Sequence, residues 1–528
     1  MMKQFTCLKT FAFLSLSIIS HLTFAQPGAS VVKKVIVPAS MKTDPFNVER
    51  TVLLPPNFEL SVFARIPGAR FMAIAPNGDV LVSNPGAGTI KIIRTATNGA
   101  INVSDFVTGL SKPHDMVFHK IDAITYLYIA EQNQINRYIY TNGDLTAKNR
   151  EIVVANLPSE ISPELRGAYG HTLKNIAIDG NHKLYVSIAS TCNACTEDTK
   201  SNPLRAAIYV YNANGTNGRL FAQGLRNAEG LDFIPGTNIL WVCVNNRDNI
   251  AYPINDNTGN YGKVIQSYVD NHPVDEFTQV VDGGNYGWPF CNPDDRNGLD
   301  DMPFFNDYDL NRDGAVTNCA TKNRISKGIQ AHSAPIGFSF LQNTAMPNLY
   351  KNGAAIALRG SWNRTVKTGY KVIYFPWDAT LQKPGKQIDL VKGFLNADSS
   401  SSYARPVDVA VTSQGDMLIS DDQGGTIFKL TYKDPTVTGF DEKKSTESNT
   451  IIFPQPASKV LNVKVLASRT KLRLSISNMQ GIEMLAKDFS ASNVEHEISL
   501  ETHTLTPGTY ILTIQKDDSK ETHKVVIE

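Results

Sequence analysis

The chain is short of charge of either dominant sign. Lys and Arg number 51 against 50 Asp and Glu, a formal net charge of +1 over 528 residues. A nucleic-acid binder or a polybasic membrane-surface protein would show a basic excess or run, so no nucleic-acid partner is expected. Long apolar runs are scarce too. Past the N-terminus no segment approaches the ~18 consecutive apolar residues of a membrane helix, so no transmembrane segment is expected. Charged residues make up only 19% and hydrophobic ones 42%, which excludes wholesale disorder. What is present in quantity is 36 Gly, 27 Pro, 24 Phe and 19 Tyr. That mixture favours many turns and short, half-buried strands over long helices.

The N-terminus reads as an address. Lys3 and Lys9 precede an apolar run from Phe11 to Ile19, and Thr23-Phe-Ala25 places small residues before Gln26. This is the pattern of a secretory signal peptide, residues 1–25, cut after Ala25. Residues 26–50 form a lead-in. An exported chain meets oxidising conditions, so its remaining cysteines can pair. Cys192-Asn-Ala-Cys195 sits in a polar loop after a strand, which favours a local structural disulfide over a redox or zinc motif. Cys291 with Cys319 would close a long Asp/Asn-rich loop. Cys243, in the apolar stretch Leu240–Val244, is expected as a buried free thiol.

Residues 51–433 repeat one pattern six times: an apolar strand, a turn, a second apolar strand, and often a third. It begins at Phe71–Ser83 with Thr89–Arg94, and returns near His114, Asn175, Gly230, Ile336 and Val407. Units of short antiparallel strands cannot bury both faces alone. Packed radially they cover one another, which is a six-bladed β-propeller of about 64 residues per blade. A sandwich or solenoid is the alternative, and the Asn-Gly or Asp-Gly turns between paired strands favour the propeller. The longest insertion is expected at 245–330. Residues 434–449 are polar and read as a linker, and residues 450–528 alternate like a small β-sandwich. The class is therefore all-β: a six-bladed propeller followed by a C-terminal sandwich.

In a propeller the inner strands run the same way along the channel, so the residues just before them converge at one mouth. Those residues are Arg70, His114, His171 with Asn175, Arg226 with Asn227, His332 and Arg405. A ring of cations and imidazoles is a trap for an anionic, multi-carboxylate ligand, because an Arg fork matches a carboxylate two bonds at a time. Separately, Asp309-Leu-Asn-Arg-Asp-Gly314 places Asp309, Asn311 and Asp313 like half a calcium loop. The twelfth position is Ala320 rather than Glu, so an Asx-turn is the competing reading.

The tail, with Phe453-Pro-Gln-Pro-Ala457 and Leu505-Thr-Pro-Gly-Thr-Tyr510, resembles the C-terminal sorting domain of the type IX secretion system of Bacteroidetes. A carbohydrate-binding or adhesive module is the alternative. The resemblance implies the type IX machinery as a partner and a secreted or cell-surface location. The propeller region carries Gly170-His-Thr-Leu-Lys-Asn175, Gly224-Leu-Arg-Asn-Ala-Glu-Gly230, Gly283-Gly-Asn-Tyr-Gly-Trp-Pro289, Ala331-His-Ser-Ala-Pro335, Gly360-Ser-Trp-Asn-Arg364 and Arg405-Pro-Val-Asp408. With these it resembles the soluble PQQ-dependent glucose/sorbosone dehydrogenase family, closest to the L-sorbosone-dehydrogenase-like branch. The resemblance implies PQQ and calcium as cofactors and a sugar as substrate. It implies His171 as the base taking the sugar hydroxyl proton, and Arg226 and Asn227 at the quinone oxygens. It places Arg405 and Arg364 in the cofactor site, which His332 and His114 of the converging ring are expected to join, and implies the backbone carbonyls of Asn246 and Arg247 as calcium ligands. The chain departs from the glucose enzymes in carrying Val407 and Asn175 where they have arginines, and Asn246-Arg247 where they have Gly-Pro. The expected activity is oxidation of a sugar aldehyde or hemiacetal, with an electron acceptor the sequence does not name. The rivals are a calcium-dependent propeller lactonase and a non-catalytic glycan- or protein-binding propeller.

Overall fold

A computed structural model of the chain describes residues 30–342, 344–396, 398–434, 450–465, 472–478, 481–490, 496–516 and 519–528. The expected signal peptide and nearly all of the expected linker lie outside the described residues. The chain divides into two compact units, Met1–Thr436 and Val437–Glu528. Among the described residues no helix is long and apolar enough to cross a membrane.

Beside one two-stranded sheet, Cys291–Pro293 paired with Phe304–Asn306, the first unit among the described residues is a propeller of six sheets. Their innermost strands are Met72–Ile74, Met116–Ile121, Ile176–Ile178, Asn227–Phe233, Pro335–Leu341 and Pro406–Val411. Each lies beside the next, and the last returns to the first. The hairpins behind them follow from local chemistry. In blade one, Ala75 N donates to Asp79 O and Ala75 O accepts from Gly78 N around the Asn77-Gly78 turn, and Gly78 takes φ +88°, a region that costs any residue with a Cβ.

Period-two alternation builds the walls between blades. In Leu240–Asn245 of blade four, Leu240, Val242 and Val244 pack toward blade three, while Trp241 and Cys243 pack toward blade five. Cys243 is accordingly a buried free thiol. The blade-five side is aromatic: Phe277 stacks on Phe375 at 5.8 Å and meets Phe338 edge-on at 5.1 Å.

Two features differ from the sequence reading. The span 245–330 is not simply an insertion, because Asp275–Val280, Ile325–Ile329 and Asp300–Met302 are the outer strands of blade four. Long loops separate them, which hid their pairing. The lead-in, and the stretch between it and the first repeat, are also structural. Val31–Lys34 pairs with Thr51–Leu54 on the edge of blade five, and Phe58–Arg65 is the fourth strand of blade six, paired with Thr426–Tyr432.

Three aspartates tie the inner ring together. Asp408 accepts from Met72 N at 2.9 Å, Asp115 from Ile176 N at 3.0 Å, and Asp232 from Phe340 N at 3.2 Å. Alternate blades thus each offer a carboxyl to the inner strand of the next. They line a central cavity of about 300 Å³. Burial raises all three: Asp115 to about 7, Asp232 to about 6, and Asp408 well above the carboxylate range.

Both expected disulfides form, Cys192–Cys195 and Cys291–Cys319. The second unit packs a three-stranded sheet containing Val460–Val465 and a four-stranded sheet containing Leu472–Ser477 and Gly508–Lys516 around Leu461, Val463, Leu474, Ile476, Leu512 and Val525. It is a β-sandwich.

Candidate active site

The mouth of the channel holds the start of every inner strand. Second strands run antiparallel to the first, so their ends return to the same mouth. The two sets interlock there.

His171 precedes the inner strand of blade three and Ser190 follows its second strand. The His171 Nδ1 lies 2.8 Å from the Ser190 carbonyl and 3.0 Å from its hydroxyl. A carbonyl only accepts, so Nδ1 carries the proton and Nε2 is the lone-pair nitrogen. Burial, then the charge of Arg226, lowers the ring to about 4, so it is neutral at pH 7. The ring lines a pocket of about 380 Å³ with Lys112, Glu160, Asn227 and Glu229.

Arg226 is buried. Its Nε donates to Asn193 O at 3.1 Å, Nη2 to Asn193 Oδ1 at 3.1 Å, and Nη1 to Asn245 O at 3.3 Å. Asp248 lies 3.8 Å from Nη2 and 3.3 Å from His332 Nδ1. Desolvation lowers Arg226 to about 10 against the pull of Asp248 and Asp275. Asn227 donates to Glu229 at 2.9 Å, and Glu229 reaches Arg70 at 3.4 Å. Arg70 also pairs with Asp422 at 2.8 Å, and Asp422 with Arg359 at 2.9 Å. Arg405 donates to the carbonyls of Arg359 (3.1 Å) and Gly360 (2.8 Å) and faces the Tyr370 ring at 5.5 Å. Desolvation, then Arg359, lowers its pKa.

The converging ring thus exists, with a difference. His114 is fully buried beneath Arg70, accepting its Nε at 3.0 Å and placing Nδ1 3.3 Å from Lys174 O. Burial drives its pKa well below 6.5. Asn175 is buried beside it, its amide on Asp115. His332 places Nε2 2.7 Å from Val269 O. Arg364 grips the carbonyl of Asp270, the next residue, and so pins the segment that holds His332. The acids Glu229, Asp248 and Asp422 were not singled out from the sequence, where the mouth reads as basic. The signal was available: Asp248 and Asp422 follow second strands, which end where first strands begin.

The implied metal residues fall in two places. Asn246 turns its amide to Glu276 (2.8 Å) and Val274 O (3.1 Å), and its N–H to Asp275 (2.9 Å). Arg247 is buried, paired with Asp307 and with Asp309 at 3.7 Å. The half calcium loop is instead a helical turn, Tyr308–Asn311, capped by Asp307. Asn311 spends its amide on Thr317 O (2.8 Å) and on the N–H groups of Val316 and Thr317, away from Asp309 and Asp313. Among the described residues no three His, Cys, Asp or Glu side chains are grouped to hold a metal.

Residues 54–433 match the family described as TrAA12-like. The chain belongs to the TrAA12-like family. Residues 451–528 match the secretion system C-terminal sorting domain, which implies export. An uncharacterized protein of Borreliella burgdorferi is 27% identical over 317 residues, 59% of this chain and 73% of that protein. Among solved structures, the holo form of the pyranose dehydrogenase PQQ domain of Coprinopsis cinerea is 18% identical at TM-score 0.60, over 72% of this chain and 97% of that one. The calcium structure of Carbohydrate-Active Enzymes Family AA12 from Trichoderma reesei gives 18% and 0.59, over 72% and 97%. At these identities the likeness is one of fold, and the TrAA12-like propeller of this chain shares it.

Proposed function

We propose that the protein is an exported quinoprotein oxidoreductase that oxidises the aldehyde or hemiacetal carbon of a sugar with PQQ as cofactor. The observation that carries this reading is His171: a neutral ring with Nδ1 anchored and Nε2 as lone pair, lining a pocket beside a buried guanidinium. That arrangement suits a general base for a hydroxyl proton.

The charges fit an anionic cofactor. Three guanidinium groups (Arg70, Arg226, Arg359) share three carboxylates (Glu229, Asp248, Asp422), and a fourth, Arg405, spends its bonds on neutral carbonyls. Positive charge is left over for a tricarboxylate. Arg405, Arg226 and Asn227 would hold it, with His332 behind them. His114 and Arg364 act one layer back, supporting Arg70 and the His332 segment. The main-chain carbonyls of Asn246 and Arg247 would offer hard oxygen ligands to calcium. A bound PQQ would supply the acceptor for the hydride of the sugar carbon. This chain's own part is to orient the sugar, take its hydroxyl proton at His171 Nε2 and favour negative charge near Arg226.

The sorting domain supports passage across the outer membrane, to the cell surface or the medium, by the type IX machinery. The test is dye reduction by purified protein given PQQ, calcium and a panel of aldoses and sugar aldehydes. Sugar-dependent turnover that requires PQQ is expected. Its absence, or lactone hydrolysis in its place, would overturn the reading.

A further inference from the structure

The loop between Ser190 and Cys195 touches nearly everything the site needs. Ser190 fixes His171, and its hydroxyl donates to Cys192 O at 2.9 Å. Asn193 lies in the two-residue span closed by the Cys192–Cys195 bond. Its carbonyl accepts from Arg226 Nε at 3.1 Å and Trp288 Nε1 at 3.3 Å. Its side-chain oxygen accepts from Arg226 Nη2 at 3.1 Å and Asp248 N at 2.7 Å, and its amide donates to Asp248 O at 2.9 Å. One asparagine thus clamps the main chain of Asp248 on both sides and two nitrogens of Arg226.

We infer that Asn193, framed by the Cys192–Cys195 disulfide, is the positioning residue that aims Arg226 and Asp248 at the bound cofactor. The claim rests on the functional reading above. An Arg held through Nε and Nη2 by neutral acceptors keeps its charge and has one orientation, whereas an Asp partner alone would draw it aside. A short loop cross-linked at both ends loses little further freedom when it binds, so the clamp is set before the ligand arrives.

The test uses the full-length protein and three variants: Asn193→Ala, Asn193→Asp, and Cys192→Ser with Cys195→Ser. Three readouts are taken: PQQ affinity by equilibrium dialysis with calcium, kcat and KM for the best sugar, and amide exchange of the 245–250 segment. Asn193→Ala is expected to weaken PQQ binding about tenfold or more and to lower kcat more than it raises KM. It should also speed exchange at Asp248 about tenfold, with an unchanged melting temperature. Asn193→Asp keeps an acceptor for Arg226 Nη2 and Asp248 N but adds a charge and loses the donor to Asp248 O, so it should recover only part of the affinity and leave exchange at Asp248 raised. The double serine variant should fall between. Wild-type affinity and exchange in Asn193→Ala would overturn the inference, and so would an equal loss of stability and activity in all three variants. If the wild type binds no PQQ, the functional reading falls while exchange at Asp248 still decides whether Asn193 is the clamp.

Discussion

His171 and Ser190 face each other across 2.8 Å, with the imidazole Nδ1 on the serine carbonyl. The contact fixes the tautomer, and with it the nitrogen available for chemistry. Replacing His171 by Ala should lower kcat by about 10²–10⁴-fold, the usual contribution of a general base. Binding of PQQ and the melting temperature should stay near wild type. A rate within threefold of wild type would exclude the ring as the base.

The acid limb of the rate profile follows from the same ring. A base works only when neutral, and burial holds the His171 ring neutral down to about pH 4. Activity attributable to His171 should therefore persist at pH 5 and be lost as the pH falls through about 4. A steady-state pH profile checks this. A half-point near 6.5 would mean a solvated ring.

Asp115 gives a stability signature of opposite sense. Its folded value, about 7, lies above the ordinary 3.8, so the folded state holds the proton more tightly than the unfolded chain. The stability it supports is fully present below pH 4 and is lost as the pH rises through 7. An Asp115→Asn variant cannot ionise. Its deficit relative to wild type should shrink between pH 4 and pH 8 in urea titrations, and a constant deficit would refute the assignment.

Gly337 is fixed by packing rather than by its own backbone. A Cβ there would lie 2.1 Å from Asp408 Oδ1 and 2.8 Å from Asp408 Cα. Gly337→Ala should cost about 1–3 kcal/mol by overpacking, read as a lower denaturation midpoint. Little loss would mean that the inner strands slide apart more easily than the aspartate clasp implies.

The two disulfides should separate under mild dithiol. Cys192 is exposed at the rim of a cavity of about 840 Å³, whereas Cys291 and Cys319 are 3% and 4% exposed. Alkylation and mass spectrometry should find Cys192 and Cys195 modified well before the other pair. Simultaneous modification would show that the 291–319 loop opens freely.

The blades were legible in the sequence because Asn77-Gly78 and its counterparts mark hairpins through local backbone preference. The convergence of Arg70, Arg226, His332 and Arg405 was legible because propeller topology turns spacing into position. The pairing of Phe58 with Tyr432 was not, since nothing local announces a partner so distant along the chain. The outer strands of blade four were lost among loops for the same reason. Asn193 was invisible for another: its part comes from a carbonyl and an amide in a polar loop, and no residue-type pattern distinguishes it from an ordinary turn.

Blade six takes three strands from the end of the propeller segment and one, Phe58–Arg65, from its beginning. Synthesis therefore cannot finish the ring gradually. A nascent chain lacking Thr426–Tyr432 leaves its opening strand unmatched, and the channel mouth, to which blade six gives Arg405 and Asp422, lacks one wall. The two ends of the propeller act as hook and eye, so completeness of the propeller segment is a condition for the pore, and the sorting segment follows the closing strand in the chain.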